Sequence, residues 1–152
     1  MPQIPVTIRN PLDRPLVKVV NEQIATPDPS LGFVYTIPMG YRSSLLCLRL
    51  RFIADANVAA RTLNLIIANG SGILFQYSNV VPLAAGETDT MVYAAGISHV
   101  AKSATNHNAL IPLPTAITLE EGDSISVTID NVQVGDQVDQ IVMQSLSQFV
   151  AE

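Results

Sequence analysis

Between Gly32 and Ala54 the chain reads Gly-Phe-Val-Tyr-Thr-Ile-Pro-Met-Gly-Tyr-Arg-Ser-Ser-Leu-Leu-Cys-Leu-Arg-Leu-Arg-Phe-Ile-Ala. This divides into a strand, a Pro-Met-Gly turn and a second, longer strand. On the second strand Leu46, Leu48, Leu50 and Phe52 share one face, and Leu45, Cys47, Arg49 and Arg51 share the other. Side chains of a strand alternate between the two sides of its sheet, so this period assigns one face to a core and leaves the other for solvent or a partner. A helix would scatter the same residues around its circumference.

The rest of the chain extends the pattern. Arg61–Ala68 alternates through Leu63, Leu65 and Ile67, and Ile73–Tyr77 follows after Asn69-Gly-Ser-Gly. Asn-Gly between two β-rich runs predicts a hairpin, because both residues tolerate positive φ. Asp89–Ala95, Ala109–Leu113 and Ala116–Leu119 read as short strands. Gly96–Asn108 reads as a long polar connection and Glu120-Glu-Gly-Asp as a turn. In Ser124–Asn131, Ile125, Val127 and Ile129 face in, with Ser124, Ser126, Thr128 and Asp130 facing out. Over Asp136–Val150 the spacing of Val138, Ile141, Val142, Leu146, Phe149 and Val150 also fits a helix. It follows a Gly135-Asp136 hairpin turn, however, so a closing antiparallel strand with a bulge is expected. The sum is about eight strands in an all-β, antiparallel, jelly-roll-like β-sandwich over residues 32–152.

Residues 1–31 differ. They hold six of the ten prolines, at positions 2, 5, 11, 15, 27 and 29. Proline lacks a ladder donor and biases its predecessor toward extended backbone. This predicts an extended arm with one short strand near Leu16–Val20. Its apolar residues, Ile4, Val6, Ile8, Leu12, Leu16, Val17, Val19 and Val20, point to docking on a surface, because a solvated tail would be poorer in Val and Ile.

Composition narrows the function classes. The chain has 152 residues with 48% apolar and 14% charged, which is enough to bury a core. A formal charge of −5 argues against general affinity for nucleic acid or anionic membrane. Cys47 stands alone in an apolar run, so no internal disulfide forms and a buried, inert thiol is expected. The start, Met-Pro-Gln-Ile-Pro, has neither basic nor apolar leader character, and no apolar run approaches the ~18 residues of a membrane span. Synthesis in the cytosol is therefore expected.

Catalytic and metal motifs are missing: there is no HExxH, Walker loop, GxGxxG, paired CxxC or GxSxG. Gly70-Ser71-Gly72 is a turn serine rather than a nucleophile elbow. His99 and His107 share one loop without a cysteine or carboxylate at ligand spacing. Asp55-Ala-Asn57 begins like a calcium loop and fails at Ala59. Glu120, Glu121 and Asp123 read as a solvated acidic turn. No enzyme, cofactor or metal site is expected. Arg49 and Arg51, on the outward face of the long strand, are the polar candidates for partner contact, beside Ile4, Val6, Ile8, Leu12, Leu16 and Val17 of the arm.

Three stretches carry a resemblance. Thr36-Ile-Pro-Met-Gly-Tyr-Arg-Ser-Ser-Leu-Leu resembles a "VPxGxRxxLL" opening, and Asn57-Val-Ala-Ala-Arg-Thr-Leu-Asn-Leu-Ile-Ile-Ala-Asn-Gly-Ser-Gly resembles an "xVxxRxxxLxIxDGxG" continuation. Leu113-Pro, Leu119-Glu-Glu-Gly-Asp-Ser-Ile-Ser-Val and Val134-Gly-Asp-Gln resemble an "LPxxxxLxxGxxIxV…xxGDxW" close. Together these resemble small β-sandwich structural proteins of tailed bacteriophages and prophages, over roughly residues 34–150. Asn69 replaces the usual turn Asp, and a residue near Val138 stands where an aromatic is common. The resemblance implies a virion component and does not fix its place on the particle; a small acidic, disulfide-free β-domain without catalytic motifs and with an apolar Pro-rich arm suits the capsid surface. The expected role is a decoration (cement) protein that binds the major capsid protein and forms a homo-oligomer, a trimer first of all. The alternative is a tail or fibre module that binds a host surface glycan. Against that stand the absence of Trp and of a tyrosine or acidic cluster in any one loop.

Overall fold

The computed structural model describes residues 17–115 and 117–150. Five of the arm positions named above, Ile4, Val6, Ile8, Leu12 and Leu16, lie outside the described residues. The described chain is all β: β1 (Val17–Gln23), β2 (Phe33–Thr36), β3 (Tyr41–Ile53), β4 (Thr62–Asn69), β5 (Gly72–Ser78), β6 (Thr88–Ala95), β7 (Asn108–Leu113), β8 (Thr118–Leu119), β9 (Ser124–Asp130) and β10 (Gln137–Phe149).

Two sheets pack face to face. One has the order β1-β10-β3-β6-β7, with β8 also paired to β3, and the other has the order β2-β9-β4-β5. The runs β1-β10-β3-β6 and β2-β9-β4-β5 are the two four-stranded sheets of an eight-stranded jelly roll. The two extra strands, β7 and β8, lie in the connection from β6 to β9, and β7 runs parallel to β6. The expected hairpin is β4–β5, where the Asn69 carboxamide oxygen accepts from the backbone N–H of Ser71 (2.9 Å) and Gly72 (3.0 Å).

Val17–Gln23, read from the sequence within the arm, pairs along its whole length with β10, from Val17 opposite Gln148 to Gln23 opposite Val142. It is an edge strand of the larger sheet, with β7 at the opposite edge. The core lies between the sheets, with Leu48, Leu50, Phe52, Leu63, Leu65, Ile67, Met91, Ile125, Val127, Val138, Ile141 and Met143 all buried.

Two bulges explain where simple alternation breaks. On β3, Cys47 lies opposite Gln144 and Leu45 opposite Ser145, so Leu46 is the extra residue. The inward phase therefore runs Ser43, Leu45, Leu48, Leu50, Phe52. Leu45 is buried and Leu46 is only half-buried, a correction to the face read from the sequence. On β10, Asp139 pairs Arg51 and Val142 pairs Arg49, which leaves Gln140 and Ile141 opposite Leu50. Gln140 takes φ +47°, and the inward phase passes from Val138 to Ile141. The i, i+3 spacing that imitates a helix is this bulge in a strand.

Candidate functional site

The outer face of the larger sheet collects the described residues that sequence analysis chose for partner contact. Register sets its rows. Gln23, Val142, Arg49, Val92 and Leu110 line up across five strands, and Asn21, Gln144, Cys47 and Ala94 form the next row. Below them come Val19, Leu146 and Ser44, then Val17, Gln148 and Arg42. Val17 is 52% exposed, Val19 56%, Val142 38% and Leu146 39%, so aliphatic side chains meet solvent on two adjacent strands. Between them stand uncharged amides rather than lysines or glutamates. A core depleted of charge and rimmed by polar groups is the composition of a contact surface.

The outer face of the other sheet is the internal control. Its β9 positions are Ser124, Ser126, Thr128 and Asp130, facing Thr62 and Asn64 of β4, with Gln76 and Ser78 beyond on β5. Its apolar members are Val34 on β2, 70% exposed, and Ile66, Ala68 and Ile73 on β4 and β5, Ile73 being 59% exposed, with the serines and threonine of β9 between the two groups. The larger sheet thus carries its exposed aliphatic residues as one patch on adjacent strands, while the hydroxyl-rich strand β9 divides those of the smaller sheet.

The four clustered arginines separate into different roles. Arg49 is exposed on the aliphatic face. Arg51 shares that face but is held in the subunit: its Nε donates to Asp139 Oδ1 at 2.7 Å and its Nη2 to Oδ2 at 2.5 Å. Arg42 pairs with Glu120 at 2.8 Å, and Glu121 accepts from the Gly40 N–H at 2.9 Å, so the acidic turn is tied to the β2–β3 turn.

Arg61 is wholly buried. Its Nε donates to both Asp136 oxygens (3.1 and 2.9 Å), its Nη2 to Asp55 at 2.6 Å and its Nη1 to the Ala59 carbonyl at 3.1 Å. Asp136, also fully buried, accepts in addition from the N–H of Asp55 (2.9 Å) and Gln133 (2.7 Å). This knot fastens the β3–β4 connection to the β9–β10 turn. Sequence reasoning missed it because the partners lie 75 residues apart; the only signal was an arginine opening a core strand.

A second cluster pins the long loop before β7. Buried Lys102 donates to Glu87 and, at 3.0 Å, to buried Asp89, while His107 Nδ1 lies 2.9 Å from Asp89 Oδ1. His99 Nε2 instead meets the Tyr77 hydroxyl at 3.0 Å, so the two histidines of the loop bind different partners. The described residues contain no group of three or more His, Cys, Asp or Glu arranged to hold a metal ion. Cys47 is half-buried, and burial pushes its thiol up, away from the reactive thiolate.

These ion pairs set a pH dependence. The hydrogen bond from Arg51 holds Asp139 below the usual carboxylate range, and that from Lys102 does the same for Glu87. At Asp55 burial pushes the carboxyl up, but bonds from Asn57 and Gly135 and the Arg61 charge outweigh it and leave it lowered. A carboxylate depressed in the folded state stabilises it above the ordinary value and loses that contribution as pH falls through the folded value. The melting temperature is therefore expected to hold from pH 7 down to about pH 5 and to fall steadily below about pH 4. A thermal-melt series across that range checks it.

Comparison with family models, with curated proteins and with solved structures finds no match to this chain.

Proposed function

We propose that the protein is a non-enzymatic virion protein of a tailed phage or prophage, a capsid decoration protein that docks through the outer face of its larger sheet. The observation that carries this reading is that Val17, Val19, Val142 and Leu146 are exposed as one patch on two adjacent strands, whereas the hydroxyls of β9 split the aliphatic residues of the other outer face into two groups. The three sequence stretches that resemble phage β-sandwich proteins support the same class. Their Arg61 and Asp136 form the buried knot, a structural role for those two motif positions.

With strands about 4.8 Å apart and same-face residues about 6.8 Å apart, the aliphatic face covers roughly 500 Å². That is below the roughly 800 Å² per partner of a standard stable interface. One copy would bind weakly, and repetition over a symmetric shell, with the arm adding area, would make the coat durable. Binding only the assembled shell stabilises it by mass action.

The test is co-sedimentation with empty, expanded heads of the phage that encodes the protein. The unaltered chain is expected to pellet with heads. The double substitution Val142→Asp/Leu146→Glu should lose about 100-fold in affinity while keeping its melting temperature, because both side chains are solvent-facing. Retention by heads of the double variant at full affinity would refute the reading.

A further inference from the structure

On the inner side of β1 the sandwich does not close. The two sheets part between their edge strands β1 and β2, leaving a cleft of about 270 Å³ lined by Val20, Glu22, Tyr35, Pro38, Tyr41, Ser43 and Ser147. Positions that the fold turns inward are serines here, where the neighbouring turns of the same strands carry Leu45, Leu48 and Met143. Ser43, Ser145 and Ser147 are 6%, 4% and 9% exposed, and their hydroxyls form a chain, Ser43 to Ser147 at 2.7 Å and Ser147 to Ser145 at 3.1 Å. Polar residues at core positions weaken packing unless they serve a site.

The lining has a specific chemistry. Glu22 offers a carboxylate that only accepts. The Tyr35 phenol beside it is pushed up by burial and by its hydrogen bond to that carboxylate, so it stays protonated and a ligand hydroxyl would have to insert between the two groups. The serine chain spends two of its three protons on itself, which leaves a donor and spare lone pairs. An ammonium group could donate to Glu22 and to the hydroxyl oxygens but would leave the unspent serine O–H without an acceptor, and a second carboxylate would be repelled by Glu22. A sugar hydroxyl donates and accepts at once, so it satisfies both kinds of group. Val20, Pro38 and the two tyrosine rings supply an apolar wall for the C–H face of a ring. The volume falls just under the roughly 300–1,000 Å³ of sites for drug-sized ligands, the scale of one sugar ring.

We propose that the β1–β2 cleft binds a single neutral pyranose unit of a glycan, with Glu22 accepting from its hydroxyls, Tyr35 and the Ser43–Ser147 pair completing the hydrogen bonds, and Tyr41 and Pro38 packing on the ring. The cleft opens between edge strands, away from the aliphatic outer face, so this inference goes beyond the shell-docking reading and does not rest on it. Both surfaces can be occupied together.

The experiment is saturation-transfer NMR on the full chain with three probes: methyl α-D-glucopyranoside, methyl β-D-galactopyranoside and methyl N-acetyl-β-D-glucosaminide. Transfer to at least one is expected, with a millimolar dissociation constant. Glu22→Gln should weaken it about tenfold or more, since a charge-assisted hydrogen bond is lost. Tyr35→Phe, which keeps the ring and removes the donor, should weaken it less while preserving the melting temperature. No transfer to any probe overturns the proposal. So does transfer that persists unchanged in both variants, or binding of agmatine in place of sugars, which would make the cleft a cation site. Head co-sedimentation is unaffected by any of these outcomes, so the two readings fail separately.

Discussion

Arg61→Leu is expected to lower stability by about 3–5 kcal/mol, the cost of leaving a buried charge without its partner. The side chain has no exposure, and its removal strands the Asp136 carboxylate, also fully buried, together with the mostly buried Asp55. The backbone N–H groups of Asp55 and Gln133 still reach Asp136, so the carboxylate stays solvated in part, but by dipoles rather than a charge. For a chain of this size the loss is a fall in melting temperature of about 10 °C or more. Asp136→Asn should cost a similar amount: the N–H groups of Asp55 and Gln133 reach different carboxylate oxygens, so a carboxamide can accept from only one of them, and Arg61 keeps Asp55 alone as counterion. A melting temperature of Arg61→Leu within a few degrees of the parent would show that the knot is dispensable.

Gly32→Ala is expected to be nearly as damaging, for a steric reason. A Cβ at Gly32 would stand 1.7 Å from the Val127 carbonyl oxygen and 2.8 Å from its carbon, both backbone atoms of β9. Backbone inside a sheet cannot yield by that amount, so the cheapest response is for β2 to leave β9. β2 has only four paired residues, Phe33 opposite Val127 through Thr36 opposite Ser124. Its departure would expose Phe33, now 6% exposed, at a cost of roughly 2–3 kcal/mol. It would also withdraw Tyr35 from the cleft. The variant should therefore melt about 5 °C or more below the parent and lose any sugar binding. A crystal structure or amide-exchange pattern of Gly32→Ala with β2 still paired to β9 would contradict this account.

What was legible in the sequence was whatever follows from local alternation. Ser124–Asp130 and Thr62–Asn69 keep a strict period, and their faces read correctly without a structure. The Asn69 turn announced itself through residues that tolerate its geometry. Alternation failed at Leu46 and at Gln140-Ile141 for one reason: a bulge adds a residue and reverses the phase, and nothing in the neighbouring side chains marks where it falls. The role of Val17–Gln23 was obscured by the prolines around it, although the segment itself contains none.

The sites were less legible than the strands, because each is assembled by the jelly-roll order from distant segments. Arg49 and Val17 were chosen separately, one for its charge and one for its place in an apolar arm; β10 lies between their strands and puts both on one face. Arg51 was chosen on the same grounds as Arg49, yet it pairs with Asp139, 88 residues away. The cleft draws on β1, β2, β3 and β10, so a search for tyrosines and acids within a single loop could not find Glu22 beside Tyr35 and Tyr41. Burial of Arg61 was hidden in the same way, its counterion arriving from the turn before the last strand.

The central claim is that the aliphatic outer face is the one that meets the shell. Amide and side-chain footprinting of the full chain, free and bound to expanded heads, tests it most directly. Protection is expected to rise at Val17, Val19, Arg49, Val142 and Leu146, with Ser126, Thr128 and Gln76 of the opposite face unchanged. Protection confined to that opposite face, with the aliphatic patch as reactive on heads as in solution, would contradict the account.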